Sequence, residues 1–107
     1  MLYTVKTISN TAQKEQKNPL NMVFFVIKKK VCKKAVDRNR VKRRARKAFL
    51  DTYKVINQDI SPTNLADFFK NKRIILFLEH DMIQELYSHI VSKMVDDLKQ
   101  LINKHIN

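Results

Sequence analysis

Apolar and polar positions divide the chain into short strands and two long helices. Residues 2–8 alternate, with Tyr3, Val5 and Thr7 on one face, and this pattern predicts a strand. Residues 22–27 form an apolar run that predicts a second, buried strand. Phe24 and Phe25 point to opposite faces of that strand, so one belongs to the core and the other could stack on a nucleotide. We assign both to the core.

Between residues 35 and 56 the apolar period becomes helical. Apolar or small residues recur at steps of three and four, as on the buried face of a helix. They are Val41, Ala45, Ala48, Phe49, Thr52 and Ile56. On this spacing Arg40, Arg43, Arg46 and Lys47 point largely away from the core.

The other segments are predicted from helix-breaking residues and from the spacing of apolar positions. Residues 9–21 are polar and contain Pro19, and residues 57–64 contain Pro62, so we expect a loop and a helix break. Residues 65–70 predict one helical turn, and residues 73–78 predict another strand. Asp81 is placed as the cap of a final helix. The predicted apolar stripe of that helix comprises Ile83, Leu86, Tyr87, Ile90, Met94, Leu98 and Leu101.

Charge is concentrated in one segment of what we interpret as a single domain, residues 1–107. Residues 28–47 hold twelve basic residues and one acid, Asp37, for a net charge of +11. The other residues carry ten basic and nine acidic groups and are close to neutral. A block this basic repels itself and exceeds what solubility needs, which favours binding to a polyanion over a merely solvated face.

Composition excludes several other classes of site. The chain has no Gly, so a Gly-rich phosphate loop is excluded. Cys32 is the only cysteine, which excludes an internal disulfide and a multi-cysteine zinc site and fits a reducing cytosol. We interpret its thiol as structural and partly buried. No secretory signal pattern opens the sequence, and the apolar runs are too short to span a membrane, so a cytoplasmic location is expected.

No group of residues predicts catalysis by the protein itself. Glu79, His80 and Asp81 could form a metal or acid–base site, but one histidine among carboxylates lacks ligand spacing. A turn with a capping aspartate is the preferred interpretation. His89 is expected on the solvated side of the last helix. We therefore assign no catalytic residue, no metal ligand and no cofactor held by protein side chains alone.

A longer motif runs through the basic segment. Lys29-Lys30 is followed by Ala35-Val36, by Arg38-Asn39-Arg40-Val41-Lys42-Arg43, and by Arg46 and Phe49. This pattern resembles the bacterial ribonuclease P protein subunit, in which a strand ending in two lysines precedes a helix with an RNR motif. The resemblance is close over residues 23–50. Over residues 73–102 it extends only to the order of a strand and a helix.

The resemblance implies a fold, a function and partners. The implied fold is α+β, a mixed sheet crossed by the RNR helix with a C-terminal helix behind, as in the second domain of ribosomal protein S5. The implied partners are the catalytic RNA, whose bound Mg²⁺ supports cleavage, and precursor tRNA, which loses its 5′ leader. No membrane or small-molecule substrate is implied. The RNA-binding residues carried over are Lys29, Lys30, Lys34, Arg38, Asn39, Arg40, Lys42, Arg43 and Arg46.

Leader binding is assigned to fewer residues. The family normally has an N-terminal helix with aromatic residues before its first strand, whereas here residues 2–4 already resemble that strand. Tyr3 is therefore the one aromatic residue carried over, together with Arg38, Asn39 and Lys42.

Two rival interpretations remain open. The chain could be a general basic RNA- or DNA-binding module, ribosomal or architectural, with no role in tRNA processing. It could also place a basic amphipathic helix on an anionic membrane. The neighbouring strand and the absence of Trp weaken the membrane interpretation.

Overall fold

A computed structural model describes residues 2–9, 22–30 and 32–106. These residues form two strands, two α-helices, a third strand, a 3-10 helix at His80–Ile83 and a last α-helix, in that order. The strands are β1 (Tyr3–Ser9), β2 (Val23–Val26) and β3 (Lys72–Leu78), and the α-helices are α1 (Ala35–Asp59), α2 (Pro62–Asn71) and α3 (Tyr87–Ile106). The loop predicted at residues 9–21 lies almost wholly outside the described residues.

The strands form one mixed sheet in the order β1-β3-β2. Central β3 pairs antiparallel with β1, Val5 opposite Leu76, and parallel with β2, Phe25 opposite Leu76. Alternate residues of β3, Ile74, Leu76 and Leu78, are buried. The predicted α+β fold with a mixed sheet is confirmed.

Helix α1 packs on the sheet through the face that its spacing predicted. All six predicted core residues, from Val41 to Ile56, are fully buried. The Phe49 ring meets the Phe25 ring edge-on, with centroids 6.2 Å apart. Because α1 lies on the Phe25 side, alternation along β2 turns Phe24 to the other side. Phe24 is 48% exposed, so its assignment to the core was wrong.

Two helix boundaries also differ from the prediction. The single turn expected at residues 65–70 is a ten-residue helix, α2. Its start combines Pro62 in the first turn with Ser61, whose side chain accepts a hydrogen bond from the Asn64 N–H. Ser-Pro therefore begins a helix here as well as ending α1.

Helix α3 begins at Tyr87, so Asp81 does not cap it. The 3-10 helix intervenes, anchored by fully buried Met82. The stripe within α3 is largely as predicted, since Ile90, Met94 and Leu98 are buried. Leu86, which precedes the helix, is 62% exposed and lies outside the core.

A polar clamp joins the first strand to the last helix. The Tyr3 hydroxyl donates to Asp97 Oδ2 at 2.6 Å, and Lys93 Nζ donates to the same oxygen at 2.7 Å. Lys93 Nζ also lies 4.2 Å from the Tyr3 ring centroid. Burial, together with the bond to Asp97, raises the pKa of the Tyr3 hydroxyl well above its ordinary value, so it stays a donor.

Candidate RNA interface

The start of α1 presents positive charge without a local counter-charge to match it. Lys34 precedes the helix, and its side chain makes no capping hydrogen bond. Asp37 is the only acid in the first turn. A helix N-terminus already carries a partial positive charge, so the basic residues around it add to that potential. This combination attracts anions such as phosphate.

Five residues on the outer side of α1 form what we call the basic ridge. Asn39, Arg40, Arg43 and Arg46 are exposed and Lys42 is half-buried. Asn39, Lys42, Arg43 and Arg46 line one shallow depression, together with Val36. The opposite side of α1 is buried against α3 and the sheet, so the ridge has a fixed orientation. Arg forks bind phosphate in a bidentate way, and Asn39 can donate to and accept from a 2′-hydroxyl or a base edge.

The ridge continues to the start of α3. Arg40, Arg43, Arg44, Lys47 and Tyr87 line a second depression. Lys47 Nζ lies 5.1 Å from the Tyr87 ring centroid. The Tyr87 hydroxyl donates to Asp51; burial and that hydrogen bond raise the pKa of Tyr87 to about 12. Sequence analysis placed Tyr87 only in the apolar stripe and missed its position beside the basic residues.

Arg44 differs from its neighbours on α1. Its side chain is half-buried, and Nη2 donates to the Glu85 carbonyl oxygen. This bond ties α1 to the turn before α3. Arg44 therefore holds two elements together, and its absence from the predicted RNA-binding set is consistent with this position.

The segment between β2 and α1, residues 28–34, is the lysine loop. Lys29, Lys30 and Lys34 are exposed, as RNA contacts require. Arg38 is half-buried, and its Nη1 donates to the carbonyl oxygens of Cys32 and Lys33, each at 2.9 Å. The Cys32 N–H donates to the Lys28 carbonyl oxygen at 3.2 Å. Arg38 thus has a structural role in the loop, whatever it contributes to RNA binding.

Tyr3 lies apart from the other residues assigned to the leader. It is 3% exposed and contacts α3 through Asp97. The depression that it lines includes Lys93, Gln100 and Lys104 but none of Arg38, Asn39 and Lys42. Asn39 and Lys42 share the ridge. The structure therefore gives Tyr3 a packing role, and its assignment to the leader stays a prediction.

The outer side of the sheet carries an aromatic ring that sequence analysis assigned to the core. Phe24 and Val26 of β2 are exposed there, and the Arg73 guanidinium lies 5.8 Å from the Phe24 ring centroid. An exposed ring beside a cation is a common platform for an unpaired base. The strict alternation of β2 was the available signal, since it required one of the two phenylalanines to face away from α1.

The histidines do not form a catalytic pair. His89 Nδ1 lies 3.2 Å from Glu85 Oε1, and His105 Nε2 lies 3.0 Å from Asp67 Oδ2, near opposite ends of α3. Within residues 2–9, 22–30 and 32–106, one group of three potential metal ligands occurs, formed by Cys32, Asp37 and His80. Sequence analysis missed it because His80 is far from the other two along the chain.

A comparison with known protein families shows which family the chain matches. The family described as Ribonuclease P matches residues 3–101, from the start of β1 to the last turns of α3. The chain belongs to the ribonuclease P protein family. No curated protein and no solved structure matches it.

Membership in the ribonuclease P family places the chain in tRNA processing, as part of a ribonucleoprotein. The matched span contains the lysine loop, the basic ridge and the sheet that supports them. Across the described part of the chain, no helix is both long and apolar enough to cross a membrane.

Proposed function

We propose that this chain is the protein subunit that binds the catalytic RNA of ribonuclease P and assists removal of the 5′ leader from precursor tRNA. One observation on this chain supports the proposal most directly. The basic ridge is exposed along one side of α1 while the opposite side, from Val41 to Ile56, is fully buried. The ridge is therefore a rigid array of phosphate-binding groups.

The lysine loop extends this surface beyond the helix. Lys29, Lys30 and Lys34 are exposed close to the uncapped start of α1, while Arg38 holds the loop backbone. A phosphate placed here meets both the lysine charges and the helix N-terminus. These contacts supply affinity and orientation but read little sequence.

Cleavage is assigned to the RNA and its Mg²⁺. A protein hydrolase needs a positioned acid–base pair, a nucleophile with its base, or a metal cluster aimed at the substrate. The described histidines are dispersed, and none lies on the basic ridge. The protein acts by neutralising phosphates, which lowers the Mg²⁺ concentration that the RNA needs, and by holding the substrate.

The outer side of the sheet is the proposed platform for the single-stranded leader. Phe24 offers an exposed ring on which a base can stack, and Arg73 lies beside it. Tyr3 is too buried to offer its ring face in the same way. Asn39 and Lys42 remain proposed contacts to the leader from the ridge.

One reconstitution tests the proposal. Catalytic RNA, precursor tRNA and this chain are combined at a Mg²⁺ concentration too low for the RNA alone, and leader release is measured. We expect cleavage with RNA plus protein and none with protein alone. Binding to the RNA without any gain in cleavage would instead support a general basic nucleic-acid-binding module. Leader release by the RNA-free protein would assign the chemistry to the chain itself.

A further inference from the structure

Three side chains of types that can bind metals lie close together at the lysine loop. Cys32 comes from the loop, Asp37 from the first turn of α1, and His80 from the first residue of the 3-10 helix. One donor atom from each lies within 4.8 Å of the other two. From this geometry we propose that Cys32, Asp37 and His80 form a binding site for one Zn²⁺ ion or a similar transition-metal ion.

The chemical types of the three donor atoms indicate which metal ion the site would prefer. A thiolate and an imidazole suit zinc and its neighbours, whereas Mg²⁺ and Ca²⁺ prefer oxygen ligands. Tetrahedral zinc, with bonds of about 2.0–2.3 Å, places its ligand atoms roughly 3.3–3.8 Å apart. The three donors need to close by only about 1 Å to reach this spacing. Three protein ligands leave the fourth position to water.

The three side chains have few competing partners. Cys32 is 2% exposed, and its Sγ has only a weak contact, 4.0 Å, to the Lys34 carbonyl oxygen. Asp37 and His80 make no side-chain hydrogen bond or ion pair among the described residues. Asp37 stands out because it is the one acid of the basic segment and is half-buried there.

Backbone geometry favours the site, and release of a proton limits the positive charge that binding adds. Binding replaces the thiol proton, which is released, with a bond from sulfur to the metal. Thiolate and carboxylate together balance the ion's two positive charges, so the occupied site is neutral. Because one proton leaves as the ion enters, binding adds one positive charge to the segment and not two. The hydrogen bonds from Arg38 to the Cys32 and Lys33 carbonyl oxygens fix the loop backbone that carries the thiol.

A bound ion would join the loop and α1 to the turn after β3. That turn is distant along the chain from the loop and α1. The positions of the loop and α1 set the orientation of the lysines relative to the basic ridge. The site rests only on the fold of the chain and is independent of the proposed role in tRNA processing.

Cobalt tests the site because a thiolate bound to Co²⁺ gives a charge-transfer band in the near ultraviolet. Untagged full chain, reduced and free of RNA, is titrated with Co²⁺ and then with Zn²⁺. We expect the band to saturate at one Co²⁺ per chain and to disappear as Zn²⁺ displaces it. Since Cys32 is the only cysteine, any such band reports its sulfur.

Variants test the other two ligands. His80→Gln and Asp37→Asn should each weaken Co²⁺ binding by more than about tenfold. His89→Gln, which changes an exposed histidine on α3, is the matched control and should bind as the unmodified chain does. Zn²⁺ should raise the Tm of the unmodified chain but not that of His80→Gln, whose exposed position leaves the core intact.

The proposal is wrong if no band forms, or if His80→Gln and Asp37→Asn bind Co²⁺ as tightly as His89→Gln does. An equal loss of Co²⁺ affinity in all three variants, with circular dichroism spectra like that of the unmodified chain, would also contradict the proposal. These outcomes do not depend on RNA binding or cleavage, so they leave the proposed function to its own test.

Discussion

Arg38 and Arg40 are two residues apart, yet they lie in different surroundings. Arg38 is half-buried and donates to two loop carbonyl oxygens, whereas Arg40 is exposed on the basic ridge. Replacing Arg38 would disturb the loop as well as any RNA contact. Arg40 and Arg43 are therefore the cleaner probes of electrostatic binding.

We expect Arg40→Gln combined with Arg43→Gln to weaken binding to the catalytic RNA without unfolding the protein. If each side chain neutralises one phosphate, the slope of log K against log salt concentration falls by about 2. Filter binding or fluorescence anisotropy over a range of salt concentrations measures this slope. Lys54→Gln with Lys70→Gln is the matched control, since it removes the same charge from exposed positions outside the basic segment. Equal slopes for the two double variants would contradict the ridge assignment.

Phe24 is the residue that tests the leader platform. Phe24→Ala should weaken binding of the holoenzyme to precursor tRNA by about one order of magnitude, because stacking contributes ~1–3 kcal/mol per base. Binding of mature tRNA, which has no leader, should be unchanged, and Phe24→Tyr should keep the stacking. Val55→Ala, at an exposed apolar position of α1, is the control. An equal effect of Phe24→Ala on both tRNAs would place the leader elsewhere.

At the scale of elements, α1 combines two roles on two sides. Its apolar spacing was enough to predict all six buried residues, because a long amphipathic helix with one covered side repeats its signal over several turns. The four-residue strand β2 gave a weaker signal. Its alternation showed that the two phenylalanines face opposite ways, but only the packed helix shows which side is covered.

Other parts of the site could not be predicted because they depend on contacts between distant residues. Tyr87 meets Lys47 only because α1 and α3 pack together. His80 meets Cys32 and Asp37 only because the end of β3 returns to the start of α1. The RNR motif, by contrast, lies within one helix, so helical spacing alone placed its residues on a common exposed side.

The polar clamp between β1 and α3 leads to a prediction at the scale of elements. Tyr3→Phe removes the hydroxyl that donates to Asp97 and should lower the free energy of unfolding by about 1 kcal/mol. The loss is modest because Lys93 still holds Asp97. Chemical denaturation measures it. Tyr53→Phe is the control, since the described structure gives the half-buried Tyr53 hydroxyl no hydrogen bond, and an equal effect of the two changes would show that the clamp contributes nothing.

For the whole molecule, the decisive feature is a net charge of +12 of which +11 lies in one segment. Self-repulsion of that segment opposes folding, and anions that bind the ridge relieve it. At matched ionic strength, sulfate should therefore raise the Tm more than chloride does, and RNA should raise it further. Calorimetry or a thermal shift assay measures the Tm. The gain from sulfate should shrink in the Arg40→Gln, Arg43→Gln variant, and equal Tm values in all three solutions would show that the ridge is not an anion site.

The proposed function requires that the basic ridge enable the catalytic RNA to work at low Mg²⁺. The most direct measurement is the Mg²⁺ concentration that gives half-maximal leader cleavage, determined with saturating protein. We predict that the unmodified chain and the Lys54→Gln, Lys70→Gln control lower this concentration relative to RNA alone. The Arg40→Gln, Arg43→Gln variant should leave it closer to the value for RNA alone. If that variant lowers the Mg²⁺ requirement as fully as the control does, the ridge does not perform the function proposed for it.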